Sequence, residues 1–274
     1  MRPIKISEKL NFVAVKLRMQ FGDTELAVGT GFFYRFMGST HLVTNWHNVS
    51  GKHPETGKCL HSEGGIPDRV AIGFPMNSIK DEIPVIQWDW RVLNLYDDEN
   101  MEKPVWNEHP IFQHRIDVVT IPISELEKTA VLAANEEKLG LDRLQLRPGL
   151  DVFILGFPIG ISGGAHFPIW KRGSIATEPD VDIDGLPKLY VDTATREGMS
   201  GSPVFAQETG FWTPEDKDRM DDAVLGTGRR FLGIYSGRVG NDPFKAQLGV
   251  VWKVTCIEEI IKNGLIKDAQ QQTG

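Results

Sequence analysis

Ser200 is the residue of this chain whose surroundings are best suited to nucleophilic chemistry. It lies in the run REGMSGSPVF, where Gly198 and Gly201 flank it and a β-prone segment follows. A nucleophilic hydroxyl needs an exposed position beside backbone N–H groups that converge on the developing oxyanion, and glycine permits the tight turn that provides both. The same composition is also typical of a plain turn before a strand. The loop alone leaves both interpretations open.

His47 and Asp117 supply the side chains that such a serine requires. His47 follows the apolar run HLVTNW, and Asp117 opens the β-branched run DVVTIPI, so each lies at the edge of a predicted strand. Each also has a structural interpretation, since a lone histidine is more often structural and a buried aspartate needs only a hydrogen-bond partner. Taken with Ser200, however, they form the set that activates a hydroxyl by general base catalysis.

The order of these three residues narrows the choice of fold. Subtilisin-like enzymes run Asp, His, Ser, and α/β-hydrolases run Ser, Asp, His, whereas this chain runs His47, Asp117, Ser200. The hydrolase motif GxSxG also fails, because Ser202 occupies the place of its second glycine. Neither of those folds is therefore expected.

The elements that must position these residues are short strands. Alternating or β-rich segments fill two halves of the chain, and a charged connector, residues 124–149, separates them. A helical apolar period occurs only near the C-terminus, in VTCIEEIIKNGLIKDA. Because no strand–helix–strand alternation is present, the pattern predicts an all-β barrel or sandwich.

Composition excludes several function classes. The chain of 274 residues has a net charge of −7 and no basic run, so nucleic acid is not expected as a partner. No apolar run is long enough to cross a membrane, and the first residues do not resemble a signal peptide. Its two cysteines, Cys59 and Cys256, lack a CxxC partner, so we expect free thiols, no metal and a cytoplasmic location.

The chain resembles the trypsin-like (chymotrypsin-fold) serine proteases, especially the bacterial branch that includes the DegP-like and glutamyl endopeptidases. The resemblance rests on GTGFFY followed by LVTNWHNV, on RIDVVTIPI, on VDTATREGMSGSPVF, and on FLGIYSGR followed by LGVVWKVTCIEEII. It implies two six-stranded antiparallel β-barrels with the active site in the cleft between them. It also implies a single peptidase domain over residues 1–274, with barrels at 1–125 and 148–254 and a helix at 255–267.

The resemblance assigns roles to the site residues. Ser200 is the nucleophile, His47 the general base, Asp117 its orienting acid, and the N–H groups of Gly198 and Ser200 form the oxyanion hole. Ser236 is expected beside Asp117. The implied activity is serine endopeptidase, acting on peptides or proteins without a cofactor. A protease-fold binding protein, silent or gated by a regulatory partner, and an esterase with the same triad are the alternatives.

Two features bear on activation and specificity. Met199 stands where animal enzymes carry the aspartate that receives a newly cut N-terminus, so activity is expected without proteolytic maturation. By resemblance the specificity pocket is lined by Ala194, Thr195, Tyr235, Ser236, Gly237, Arg238 and Gly249. Without a buried carboxylate it does not suit Lys or Arg. For the residue just before the cut, two alternatives stay open: a small or medium apolar side chain, or an acidic side chain that pairs with Arg238.

Overall fold

The computed structural model describes residues 6–80, 83–124, 126, 128–217, 222–239 and 247–272. The predicted domain limits at residues 1, 125 and 274 lie outside these residues. The elements, in chain order, are β1 Ala14–Phe21, β2 Thr24–Phe36, β3 Ser39–Thr44, α1 Trp46–Ser50, β4 Arg69–Lys80, β5 Ile83–Asn94, β6 Asn107–Glu108, β7 Val119–Pro122, β8 Asp151–Gly156, β9 Ile169–Ile175, β10 Lys188–Asp192, β11 Pro203–Trp212, β12 Val224–Arg238, β13 Leu248–Lys253 and α2 Val254–Gln272.

The first half of the chain forms an antiparallel sheet of seven strands in the order β5-β4-β1-β2-β3-β7-β6. Inward residues of β1 alternate with partly exposed ones, as expected for a strand with one buried face. The all-β class is confirmed. The expectation of a closed six-stranded barrel in this half is wrong, because the strands form a seven-stranded sheet instead. Within the described residues no ladder joins the edge strands β5 and β6. β6 has only two residues, so it offers little backbone for such a ladder.

The second half forms the closed six-stranded barrel that the resemblance implied. Its strands follow the order β10-β13-β12-β11-β8-β9, and each pairs antiparallel with its neighbours. Closure leaves this sheet without free edges. The barrel therefore offers a rigid support for the loop between β10 and β11, which carries Ser200.

A shared apolar core joins the two sheets and the C-terminal helix. Phe32 of β2 packs edge to face against Phe231 of β12, and Phe205 of β11 lies against the same ring. Ile257 and Ile260 of α2 are fully buried in this cluster. Aromatic burial of this kind dominates core energetics, so it holds the facing edges of the two sheets in fixed positions.

The two cysteines occupy opposite environments. Cys59 is exposed, whereas Cys256 is buried in the first turn of α2, and both are free thiols. Burial is the main cause that raises the pKa of the Cys256 thiol above its ordinary value. Across the part of the chain that the structure describes, no helix combines the length and apolar character that a membrane span would need.

Candidate active site

His47 and Asp117 are brought together by the pairing of β3 with β7. Thr44 lies opposite Val119 in this ladder, so the residues that follow β3 meet those that precede β7. The His47 backbone N–H donates to Asp117 Oδ1 at 2.9 Å, and Nδ1 lies 2.6 Å from Oδ2. A carboxylate can only accept, so this contact places the proton on Nδ1 and leaves Nε2 as the basic nitrogen.

Asp117 is almost fully buried, with 2% of its surface exposed, and both oxygens of its carboxylate are hydrogen-bonded. Besides the two bonds from His47, Oδ2 accepts from Ser236 Oγ at 2.5 Å. The backbone carbonyl of Asp117 accepts from Asn45 Nδ2 at 2.6 Å. A buried carboxylate is tolerated only when it is paired in this way, so the network fixes its position beside the imidazole.

The loop that carries Ser200 is held against the first sheet by its backbone. The Ser200 carbonyl accepts from the Thr30 N–H at 2.9 Å and from Asn48 Nδ2 at 3.2 Å. Gly201 has a φ of +88°, and a Cβ there would lie 1.9 Å from the Thr30 carbonyl oxygen. Only glycine therefore fits this close approach.

Two carbonyl groups ahead of Ser200 are held by specific hydrogen-bond partners. The Glu197 carbonyl accepts from the Ile159 N–H at 2.6 Å, and the Gly198 carbonyl accepts from Thr30 Oγ1 at 2.8 Å. Gly198 has a φ of +85°. Within the described residues, the N–H groups of Gly198 and Ser200 have no acceptor.

Thr30 supports the loop of Ser200, and the sequence interpretation did not identify it. Its fully buried hydroxyl donates to the Gly198 carbonyl and accepts from the Phe157 N–H at 3.2 Å. The only sequence signal was a threonine between two glycines in GTGFFY. That signal does not distinguish a buried hydrogen-bonding hydroxyl from an ordinary strand residue.

The Ser200 hydroxyl contacts Ser236. Its Oγ donates to the Ser236 carbonyl at 3.4 Å, and among the described residues it forms no other hydrogen bond, including none with His47. A hydrogen bond of this length is weak. In enzymes, hydrogen bonds of a catalytic serine are commonly long when no substrate is bound. Ser236 therefore links the Ser200 hydroxyl to the carboxylate of Asp117.

A cleft of about 850 Å³ opens beside this network. Its walls include His47 and Asp117 on one side and the β12 segment 236–239 on the other. Arg238 is exposed at the end of β12 and also lines the cleft, and no described residue accepts a hydrogen bond from its guanidinium. The structure thus brings Ser236, Gly237 and Arg238 to the cleft as a row along one strand edge.

The remaining residues of the expected specificity pocket, except Ala194, are buried. Tyr235 and Thr195 are each 1% exposed, and their hydroxyl groups are hydrogen-bonded to each other. Burial is the largest cause of the raised pKa of Tyr235. A Cβ on Gly249 would lie 2.4 Å from Tyr235 Cε2, so the tyrosine ring occupies the space over this glycine. Ala194 is exposed.

Comparison with known families agrees with this architecture. The sequence profile of the trypsin-like peptidase domain matches residues 29–212, which is more than half of the chain. The matched region includes His47, Asp117 and Ser200. No curated protein is similar enough in sequence to be matched to this chain.

Several solved structures have a similar fold. A variant of the HtrA-type protease AlgW with a tripeptide matches with a TM-score of 0.50 and 12% identity over 92% of this chain and 60% of that chain. A serine endoprotease from Yersinia pestis matches with a TM-score of 0.49 and 13% identity, over 98% of this chain and 69% of that chain. The inactive form of a serine-to-alanine mutant of Rv3671c from M. tuberculosis H37Rv matches with a TM-score of 0.45 and 16% identity. The match covers 92% of this chain and 86% of that chain. At these identities the likeness concerns the fold alone.

Proposed function

The chain belongs to the trypsin-like peptidase domain family, and from that premise we propose that it is a serine endopeptidase that uses His47, Asp117 and Ser200. The expected membership of the trypsin-like group is confirmed by the family match. The individual roles, the oxyanion hole and the specificity are the proposal, and each is supported by the contacts described above.

In the proposed reaction, the Ser200 hydroxyl attacks the carbonyl carbon of the scissile peptide bond. His47 Nε2 takes the hydroxyl proton, and the carbonyl oxygen gains the negative charge. The N–H groups of Gly198 and Ser200 stabilise that charge. His47 then gives its proton to the leaving amine, which breaks the C–N bond and leaves an acyl group on Ser200. Water, activated by the same imidazole, hydrolyses this ester.

Asp117 acts through His47 in this proposal. The two hydrogen bonds from His47 hold the ring in one orientation and in the tautomer that exposes a basic Nε2. When the imidazole gains a proton, the buried carboxylate beside it stabilises the positive charge. The single observation that carries the proposal is this His47–Asp117 pair, to which Ser236 donates a further hydrogen bond. It lies near Ser200, where the N–H groups of Gly198 and Ser200 have no acceptor among the described residues.

A fluorophosphonate probe tests the proposed function directly. Such a probe reacts when a serine is deprotonated by a base and its phosphoryl oxygen is held by an oxyanion hole. We expect a stoichiometric adduct on Ser200, located by mass spectrometry of the digested protein. Peptide-library cleavage by the same preparation should then separate peptidase from esterase. A folded protein that binds peptides but forms no adduct would instead be a protease-fold binding protein.

We propose in addition that the residue before the cut is small. The space in which its side chain would lie is bounded by segment 194–197 and by Tyr235, and the hydroxyl contact between Thr195 and Tyr235 closes it from within. The tyrosine ring over Gly249 removes the remaining depth. Alanine or valine would fit against this floor, whereas a phenylalanine ring would overlap with Tyr235.

Truncation of this tyrosine is the corresponding prediction. In Tyr235→Ala we expect the ratio of cleavage after Phe to cleavage after Ala to rise by about tenfold or more, because a buried apolar side chain gains roughly 1.5–3 kcal/mol in the opened space. The measurement compares matched peptides with Ala, Leu, Phe, Glu and Lys before the cut. A ratio within one preparation is insensitive to partial unfolding of the variant.

Tyr235→Phe is the matched control, because it keeps the ring and loses only the hydroxyl. It should retain the preference for Ala. Fast cleavage after Glu by the wild type, lost in Arg238→Ala, would show that the acidic alternative is correct and that Tyr235 does not set specificity.

A further inference from the structure

A small pocket with aromatic and cationic walls lies on the outer face of the first sheet, and we name it the β1–β5 pocket. It has a volume of about 100 Å³ and is lined by Lys16, Arg18, Trp88, Trp90, Ser162 and His166. It shares no lining residue with the large cleft that contains Ser236 and Arg238.

Strand register builds this pocket. Lys16 and Arg18 are two residues apart on β1, and Trp88 and Trp90 are two residues apart on β5, so each pair shares a face. Gly73 of β4 stands between them, and a Cβ there would come within 3.3 Å of the Trp90 ring. The missing side chain leaves room for both indoles to lie on the sheet.

The cations of the pocket are held in place but are not fully neutralised. Lys16 Nζ donates to the Gly160 carbonyl at 2.6 Å, and no described carboxylate lies within ion-pair distance of it. Arg18 stacks over the Trp90 ring with 4.0 Å between its guanidinium carbon and the ring centre, and its Nε lies 3.5 Å from Glu25. Burial is the main cause that lowers the pKa of Lys16. An ammonium group that has lost part of its water is stabilised by an anion.

Two sets of hydrogen bonds connect this pocket to the loop of Ser200. Gly160, which accepts from Lys16, is preceded by Ile159, whose N–H holds the carbonyl of Glu197. Lys16 is also paired with Thr30 across the β1–β2 ladder, and the Thr30 N–H holds the Ser200 carbonyl. Lys16, on the wall of the pocket, is therefore joined through Gly160–Ile159 and through Thr30 to the loop that carries Ser200.

We propose that the β1–β5 pocket binds a carboxylate on the part of the substrate that leaves after the cut. The inference rests on the proposed function, because the acyl part would lie along Ser236–Arg238 and the leaving part must then extend past Ile159 and Gly160. A volume of about 100 Å³ accommodates one carboxylate with a methylene group between the indoles. The carboxylate belongs either to an acidic side chain or to the C-terminus of the leaving peptide.

Matched peptides separate these two sources. One series carries Glu or Gln in turn at the second to fifth positions after the cut, in otherwise neutral peptides with amidated ends. A second series ends at each of these positions with a free carboxylate or with an amide. We expect one position at which the charged member is cleaved about tenfold faster in kcat/KM, the size expected for one charge-assisted hydrogen bond.

The variants Lys16→Met and Arg18→Gln should abolish this preference while the neutral peptides are still cleaved. Arg143→Gln is the matched control, since it removes one positive charge from an exposed side chain outside the pocket. Equal cleavage of charged and neutral peptides at every position would overturn the proposal. So would an equal loss of both in Lys16→Met, because that result would assign Lys16 to support of the Gly160 loop. If no peptide is cleaved and Ser200 takes no probe, it is the proposed function that fails.

Discussion

Replacement of Ser200 by alanine is expected to lower kcat/KM for peptide cleavage by about three orders of magnitude or more. The hydroxyl is the only group in the proposed site that forms a bond to the substrate. Its loss leaves the N–H groups of Gly198 and Ser200 and the His47–Asp117 pair in place, so residual acceleration by binding and by the oxyanion hole can persist. The measurement is steady-state cleavage of a fluorogenic peptide, with circular dichroism and thermal unfolding to verify the fold.

Ser202→Ala provides a matched control two residues further along the same loop. The Ser202 side chain is fully buried, and its hydroxyl has no hydrogen-bond partner within the described residues. Its removal should therefore leave cleavage within about twofold of the wild type and unfolding almost unchanged, since an unpaired buried hydroxyl contributes no net stability. Full activity in Ser200→Ala, or a loss of activity in Ser202→Ala alone, would show that Ser200 is not the nucleophile.

Asp117→Asn is expected to lower kcat by about four orders of magnitude. The amide keeps the shape of the side chain but presents an NH₂ group in place of one acceptor oxygen. An NH₂ group facing His47 Nδ1 would favour the tautomer with the proton on Nε2, and this tautomer cannot take the proton from Ser200. The isosteric change is preferred to alanine because it avoids a cavity beside a buried histidine.

Ser236→Ala distinguishes orientation from simple destabilisation at this site. It removes one of the three hydrogen bonds to the Asp117 carboxylate and leaves both bonds from His47. We therefore expect activity to fall by about tenfold at most. A large loss in Asp117→Asn with a small loss in Ser236→Ala supports the assigned role. Retention of more than a tenth of the activity in Asp117→Asn would mean that another acid orients His47.

The order and local settings of the site residues were readable from the sequence. Ser200 between two glycines and His47 at the end of an apolar strand are local patterns, set by turn chemistry and by the period of a strand. The all-β class, predicted from the many short strands, and the trypsin-like family, stated as a resemblance, are both confirmed. The contact of His47 with Asp117 was expected from resemblance, and the β3–β7 ladder supplies its geometry.

What the sequence did not determine depends on contacts between distant segments. The bond from Thr30 Oγ1 to the Gly198 carbonyl joins residues 168 positions apart, and no local pattern specifies it. Gly249 was expected to line the specificity pocket, yet the ring of Tyr235 from the neighbouring strand occupies the space over it. The open first sheet and the β1–β5 pocket likewise arise from strand register. Local propensity decides which residues form turns and strands, whereas the packing of those elements decides which groups meet.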